Sequence, residues 1–164
     1  MAARRPGGGT PATTMLAACG IEFEVCEYEH DPRATSYGLE AAERLGLVPE
    51  QVFKTLLVDV DASTVVAIVP VSGSLDLKAL AAAAGGRRAD LTDPDRAQRL
   101  TGYVIGGISP IGQRRPLPTF IDATAEAWER IYVSGGRRGL DLGLAPADLI
   151  AVTSATVAAI GRAN

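Results

Sequence analysis

Ile21, Phe23 and Val25 alternate with Glu22, Glu24 and Cys26, the period of a half-buried strand that ends near Tyr28. A helix precedes it, with Thr10 as N-cap, Pro11 in its first turn and Gly20 as its stop. After a turn through Asp31-Pro32, Thr35 or Ser36 caps a second helix, with Leu39, Ala42 and Leu45 as its inner stripe and Gly46 ending it. Residues 52–60 and 64–71 are apolar runs joined by a short link, which predicts a hairpin buried on both faces. Ser74 then caps a helix over 75–84 that stops at Gly85-Gly86, and a short strand at 88–91 leads to a helix starting at Asp93-Pro94 and ending near Leu100. Further strands are expected over 103–105, 119–122, 130–134 and 140–144, with a helical turn over 125–129. A helix from Pro146 to about Val152 and an edge strand over 155–160 complete the chain. Strands outnumber helices and the links are short. The predicted class is α+β, with a curved, barrel-like mixed (mainly antiparallel) sheet surrounded by helices.

Composition narrows the setting without changing the elements. The 164 residues, 47% apolar and 21% charged, suit one soluble domain over residues 10–164, with residues 1–9 as a flexible tail. No apolar run approaches the roughly 20 residues of a membrane helix. The basic start has no apolar segment after it, so no secretory signal is expected and the setting reads as cytoplasmic. Cys19 and Cys26 stand outside any CxxC spacing and are expected to stay reduced. His30 is the single histidine, so a His-rich zinc site is excluded, and the two cysteines are too few for a structural one. His30 lies in a Glu-His-Asp-Pro turn and no GxSxG motif exists, so a turn residue is the better reading than a triad base. No metal or cofactor is expected. A net charge of −3 argues against bulk coating of nucleic acid and leaves room for a local basic patch.

Lys54 is the residue that fits its surroundings least. The chain has fourteen arginines and two lysines, yet one lysine heads the apolar row of Leu56, Val58 and Val60 on a predicted strand. It either snorkels out at the strand end or stands partly desolvated as a tunable cation at a pocket mouth. Gly106-Gly107 and Gly135-Gly136 follow predicted strands; they match no P-loop or GxGxxG pattern and are either tight turns or places of close ligand approach. Tyr28, Lys54, Gly106, Ser134 and Asp141 all fall at or near predicted strand ends, where a barrel-like sheet would gather them. Asp141, between Leu140 and Leu142, either faces water or accepts hydrogen bonds from an amine or ribose hydroxyl. Three arginine pairs (Arg87-Arg88, Arg114-Arg115 and Arg137-Arg138) are either scattered solvated charge or a rim for an RNA backbone.

These same residues resemble the YbaK/EbsC-type Cys-tRNA(Pro) deacylases, free-standing aminoacyl-tRNA editing proteins. The matching stretches run through almost the whole chain: Thr10-Pro-Ala12, Tyr28-Glu-His-Asp31, Val52-Phe-Lys-Thr-Leu-Leu-Val58, Leu75-Asp-Leu-Lys78, Thr101-Gly-Tyr103, Gly106-Gly-Ile-Ser-Pro110, and Tyr132-Val-Ser-Gly-Gly136 with Gly139-Leu-Asp141. The resemblance implies a fold related to the editing domain inserted in bacterial prolyl-tRNA synthetases. It implies removal of cysteine wrongly attached to proline tRNA, by attack of the substrate thiol on its own ester, with thiolactone release. Lys54 and Gly106 would be the catalytic positions; Tyr28, Tyr37, Gly107, Ser134 and Asp141 would bind substrate; Arg114, Arg115, Arg137 and Arg138 would form the tRNA rim. Position 36 is Ser where related members carry Asn, and no role is assigned to it. The expected partners are aminoacyl-tRNA and, transiently, prolyl-tRNA synthetase, with neither DNA nor a membrane. The alternatives are an Ala-tRNA(Pro) deacylase of the same fold and a non-catalytic tRNA- or synthetase-binding module.

Overall fold

The computed structural model describes residues 9–164; the tail expected over residues 1–9 lies, but for Gly9, outside the described residues. The elements run α1 (Pro11–Ala18), β1 (Glu24–Glu27), α2 (Tyr37–Leu45), β2 (Phe53–Val60), β3 (Ser63–Pro70), β4 (Gly73–Leu75), α3 (Leu77–Ala83), β5 (Ala89–Leu91) and α4 (Pro94–Thr101). Then follow β6 (Thr119–Asp122), β7 (Ile131–Ser134), β8 (Leu140–Leu144), α5 (Pro146–Thr153), β9 (Thr156–Ala158) and β10 (Gly161–Ala163). The class is α+β. The strands form three sheets, ordered β5-β2-β3-β6-β9, β1-β8-β7 and β10-β4, and no closed barrel forms among the described residues. Pairing is mixed and mainly antiparallel, with parallel contacts at β3/β6 and β6/β9.

The β2/β3 hairpin is the centre of the core. Phe53, Leu57, Val66 and Ile68 face one hydrophobic cluster, which includes Leu16 of α1, Leu149 of α5 and the β8 leucines. Val58, Val60, Val65, Ala67 and Val69 face a second cluster, with Leu80 and Ala81 of α3. Each buried Val, Leu, Ile or Phe among them contributes about 1.5–3 kcal/mol over exposure, so register here is strongly specified. A parallel bridge between Val52 and Tyr132 joins the small sheet β1-β8-β7 to the start of β2. Two residues further along each chain stand Lys54 and Ser134.

Local differences from expectation have identifiable causes. Ser74 lies within β4 and does not cap a helix; Asp76 caps α3 by accepting the Ala79 N–H at 3.0 Å. Residues 103–105 are not a strand: Gly102 ends α4 at φ +82°, and the chain then turns, with Tyr103 buried and its hydroxyl donating to Ile111 O at 2.7 Å. The helical turn expected over 125–129 is a 3-10 turn, Ala123–Ala127, capped by Asp122. The single terminal strand is two, β9 and β10, because Asp122 Oδ1 accepts the Ile160 and Gly161 N–H groups at 3.0 and 2.7 Å and turns the chain between them. Either Thr35 or Ser36 could have capped α2; Ser36 does, accepting the Leu39 N–H at 3.3 Å.

Candidate active site

In β8, Leu140, Leu142 and Leu144 fill the core, which turns Asp141 to the opposite face. The register sets Asp141 between Ser134 of β7 and Cys26 of β1, so thiol, carboxyl and hydroxyl form one row across the small sheet. Asp141, at the centre of that row, does not face water: it is 5% exposed. Tyr28, Thr35 and Ser36 from the β1–α2 connection, Tyr37 and Ala41 of α2, Lys54 and Thr55 of β2, and Ile105 with Gly106 enclose a cavity of about 290 Å³, which Ser134 and Asp141 also line. Six residues expected at a site (Tyr28, Tyr37, Lys54, Gly106, Ser134 and Asp141) thus meet in one lining.

Its electrostatics follow from burial. Asp141 has no ion-pair partner among the described residues, and desolvation pushes its carboxyl up to about 7. Lys54 is half-buried; desolvation lowers its amine below the ordinary lysine value, and Nζ donates to Gly73 O at 3.0 Å. Tyr28 is pushed up to about 12, chiefly by burial, with the Asp141 and Glu40 charges adding to it. Cys26, at the β1 end of the row, does not line the cavity; burial, then the nearby Glu24, push its thiol up to about 12, which makes it a poor nucleophile.

Gly106 is required as glycine on two counts. Its φ is +89°, and a Cβ there would stand 2.7 Å from the Tyr37 ring. Among the described residues nothing accepts its N–H, which leaves a backbone donor for a ligand. Gly107 differs: its N–H donates to Val104 O at 2.9 Å, it is not on the lining, and a Cβ would meet Arg137 Cα at 2.7 Å. Gly135 and Gly136 serve packing. Thr10 Oγ1 donates to Gly135 O, and a Cβ on Gly136 would press on Tyr103 at 2.9 Å.

The arginines separate. Arg138 lies against two lining residues, its guanidinium 5.2 Å from the Tyr37 ring centroid and its Nε donating to Ile105 O at 2.9 Å. Arg137 beside it pairs with Glu27 at 2.6 Å. Arg114 and Arg115 follow α4, away from the lining; Arg115 borders a separate depression of about 130 Å³. A larger cavity of about 660 Å³ opens beside β4 and β10, but its buried acid, Asp122, is engaged by Thr124, Ile160 and Gly161.

Sequence reasoning passed over Thr55. Its Oγ1 is fully enclosed and has no hydrogen-bond partner among the described residues, whereas the equally unpartnered Asp141 carboxyl borders the cavity. The signal was there: Thr55 interrupts the apolar row of Phe53 and Leu57. No group of three or more His, Cys, Asp or Glu side chains suited to a metal occurs among the described residues. Among them too, no helix is long and apolar enough to cross a membrane.

The chain matches the family model for the aminoacyl-tRNA editing domain over residues 30–152, a span holding every lining residue named above except Tyr28. It is 38% identical over 162 residues, 98% of each chain, to "Putative Cys-tRNA(Pro)/Cys-tRNA(Cys) deacylase EbsC" of Enterococcus faecalis. Its fold is similar to a crystal structure described as "a putative trans-editing enzyme for prolyl tRNA synthetase", at TM-score 0.84 and 25% identity over 98% of this chain and 99% of that one. A scaffold from computational epitope grafting matches at TM-score 0.83 and 25% identity, over 98% of this chain and 100% of the other. With a family match over most of its length and a full-length relative at this identity, the chain belongs to the aminoacyl-tRNA editing domain family.

Proposed function

We propose that this protein is a trans-editing deacylase that removes cysteine mis-attached to proline tRNA. The observation that carries the reading is the pairing, in one small cavity, of an unpartnered buried carboxyl (Asp141) with a half-buried amine (Lys54). An aminoacylated 3′ end offers the complement of both: an α-ammonium and a phosphate beside a ribose. A volume of about 290 Å³ suits a small aminoacyl group with its ribose ester and leaves little room for a large side chain.

The lining has no histidine to act as a base, so the attacking group is best supplied by the substrate. The cysteine sulfur attacks its own ester carbonyl. An S–C bond forms, the bond from the carbonyl carbon to the ribose 3′ oxygen breaks, and the thiol proton ends on that oxygen. The products are a cysteine thiolactone and tRNA with a free 3′-hydroxyl. Positioning is the main requirement of an intramolecular attack and can be worth up to roughly 7–11 kcal/mol, part of which the strained four-membered ring takes back. In this reading Lys54 holds the 3′-terminal phosphate. The Gly106 N–H stabilises the carbonyl oxygen as it becomes anionic. Asp141 accepts from the α-ammonium, and Tyr28, Tyr37 and Ser134 shape the pocket. Arg137 and Arg138 form the tRNA rim beside the mouth. A transient complex with prolyl-tRNA synthetase in the cytoplasm supplies tRNA selectivity that so small a cavity cannot.

Deacylation of Cys-tRNA(Pro), measured beside Ala-, Ser- and S-methyl-Cys-tRNA(Pro), tests the reading. Cleavage of the free-thiol substrate alone is expected. Equal cleavage of the S-methyl ester refutes cyclisation, a preference for Ala selects a water-activating relative, and tRNA binding without cleavage selects a binding module.

A further inference from the structure

The chemistry above leaves one buried acid without a task. Glu40 stands in the first turn of α2, its side chain 6% exposed, although Ser36 already caps that helix. Both its oxygens are engaged: Oε1 lies 2.7 Å from His30 Nδ1, and Oε2 accepts the Asp31 N–H at 2.6 Å. A carboxylate only accepts, so the proton of this contact sits on Nδ1. Both partners belong to the β1–α2 connection, the segment that brings Tyr28, Thr35 and Ser36 to the cavity. The His30 ring in turn packs on Tyr37, centroids 5.7 Å apart and planes 31° apart. Arg138 and Gly106 meet the same Tyr37 ring. The ring that borders the cavity is therefore held by a chain of contacts that starts at Glu40.

We propose that Glu40 is a positioning residue: by holding His30 and Asp31 it fixes the connection as a cavity wall and, through the His30 ring, sets the tilt of Tyr37. A purely structural Glu40, favoured by the helix N-terminus, would change stability and leave Tyr37 where it is. Only the kinetic arm of the test rests on the deacylase reading.

The full chain labelled with 3-fluorotyrosine, its Tyr37 resonance assigned with Tyr37→Phe, provides the readout by 19F NMR. Two variants are compared with wild type. Glu40→Gln keeps the shape and one acceptor; His30→Phe keeps a ring beside Tyr37 and removes the donor, and serves should the first fail to fold. In both, the Tyr37 resonance is expected to shift or broaden while those of Tyr103 and Tyr132 stay. In the Cys-tRNA(Pro) assay, kcat should fall roughly 10-fold with KM held within about 2-fold. An unmoved Tyr37 resonance overturns the proposal even where Tm or activity falls, and so does a moved resonance with unchanged kcat. A wild type that cleaves no Cys-tRNA refutes the deacylase reading instead, and the spectrum alone then decides the role of Glu40.

Discussion

Replacing Asp141 with Asn should make the protein more stable at neutral and alkaline pH, although it removes a residue of the candidate site. Burial raises the carboxyl from 3.8 to about 7. In the unfolded chain Asp141 ionises near 3.8, whereas in the folded chain it keeps its proton to about 7, so between these values the folded state binds more protons. Its contribution to stability is therefore present in full below about 4 and declines as pH rises to 7. Each pH unit of that interval is worth about 1.4 kcal/mol, which brings the total to about 4 kcal/mol. Asn cannot ionise, so wild type and variant should unfold together near pH 4 and diverge by about 4 kcal/mol at pH 8. For a chain of this length that gap is roughly 8–16 °C in Tm. Urea unfolding of both proteins from pH 4 to pH 8 measures the difference directly and cancels every other titrating group. A difference that stays flat with pH refutes the argument, because it means that Asp141 ionises as readily in the folded protein as in the unfolded chain. The variant should also lose deacylation, separating the stability of this site from its use.

Lys54→Ala should lower deacylation by about 10²–10³-fold, the scale of losing one electrostatic contact in a pocket, with little change in Tm because Nζ makes one hydrogen bond, to Gly73 O; a Tm collapse in thermal unfolding would mark a structural lysine instead. Gly106→Ala should cost about 1–2 kcal/mol for the positive φ and, by pushing on Tyr37, reduce deacylation; urea unfolding with single-turnover kinetics checks both, and unchanged rates would detach Gly106 from the site. Iodoacetamide on the native protein at pH 8 should alkylate exposed Cys19 and spare Cys26, whose thiol at about 12 is ionised in only about 1 molecule in 10⁴; peptide mass spectrometry reads this, and equal labelling would show the Cys26 region to be open.

The elements that short-range patterns determine could be read directly. The β2/β3 hairpin is two apolar runs around Asp61-Ala62, and Ser36 and Gly46 bound α2 by local chemistry that needs no tertiary partner. The misread segments are those where a distant group settles the outcome. Tyr103 has strand propensity, yet its hydroxyl is held by Ile111 and its ring by the Gly136 turn, so residues 103–105 turn around a buried ring. Ser74 carries the cap signature, but β10, eighty-odd residues later, pairs with it and makes a strand of it, leaving Asp76 to cap. Closure of the sheet was likewise beyond local pattern, since it depends on how strands far apart in sequence pair.

The candidate site shows the same division within a single residue. Leu140-Asp-Leu142 is the alternation of a strand with one wet face, and on that pattern Asp141 belongs in water. Its burial comes from three long-range facts. β8 is the middle strand of its sheet; the Val52–Tyr132 bridge brings β2 and Lys54 alongside; and the β1–α2 connection, held by Glu40, lines the space over the open face. None of the three is encoded near position 141. A polar residue in an apolar row is thus ambiguous by itself, and the ambiguity is resolved by what covers the row. Lys54 and Thr55 are each such a residue, on opposite faces of β2, and both line the cavity that Asp141 faces. When polar interruptions on strands remote in sequence meet in one enclosed space, packing does not account for them: separate apolar substitutions would serve the core better. On the proposed reading, the aminoacyl end of the substrate meets the unpartnered polar groups of Asp141 and Thr55, while Lys54, already bonded to Gly73 O, keeps donors to spare.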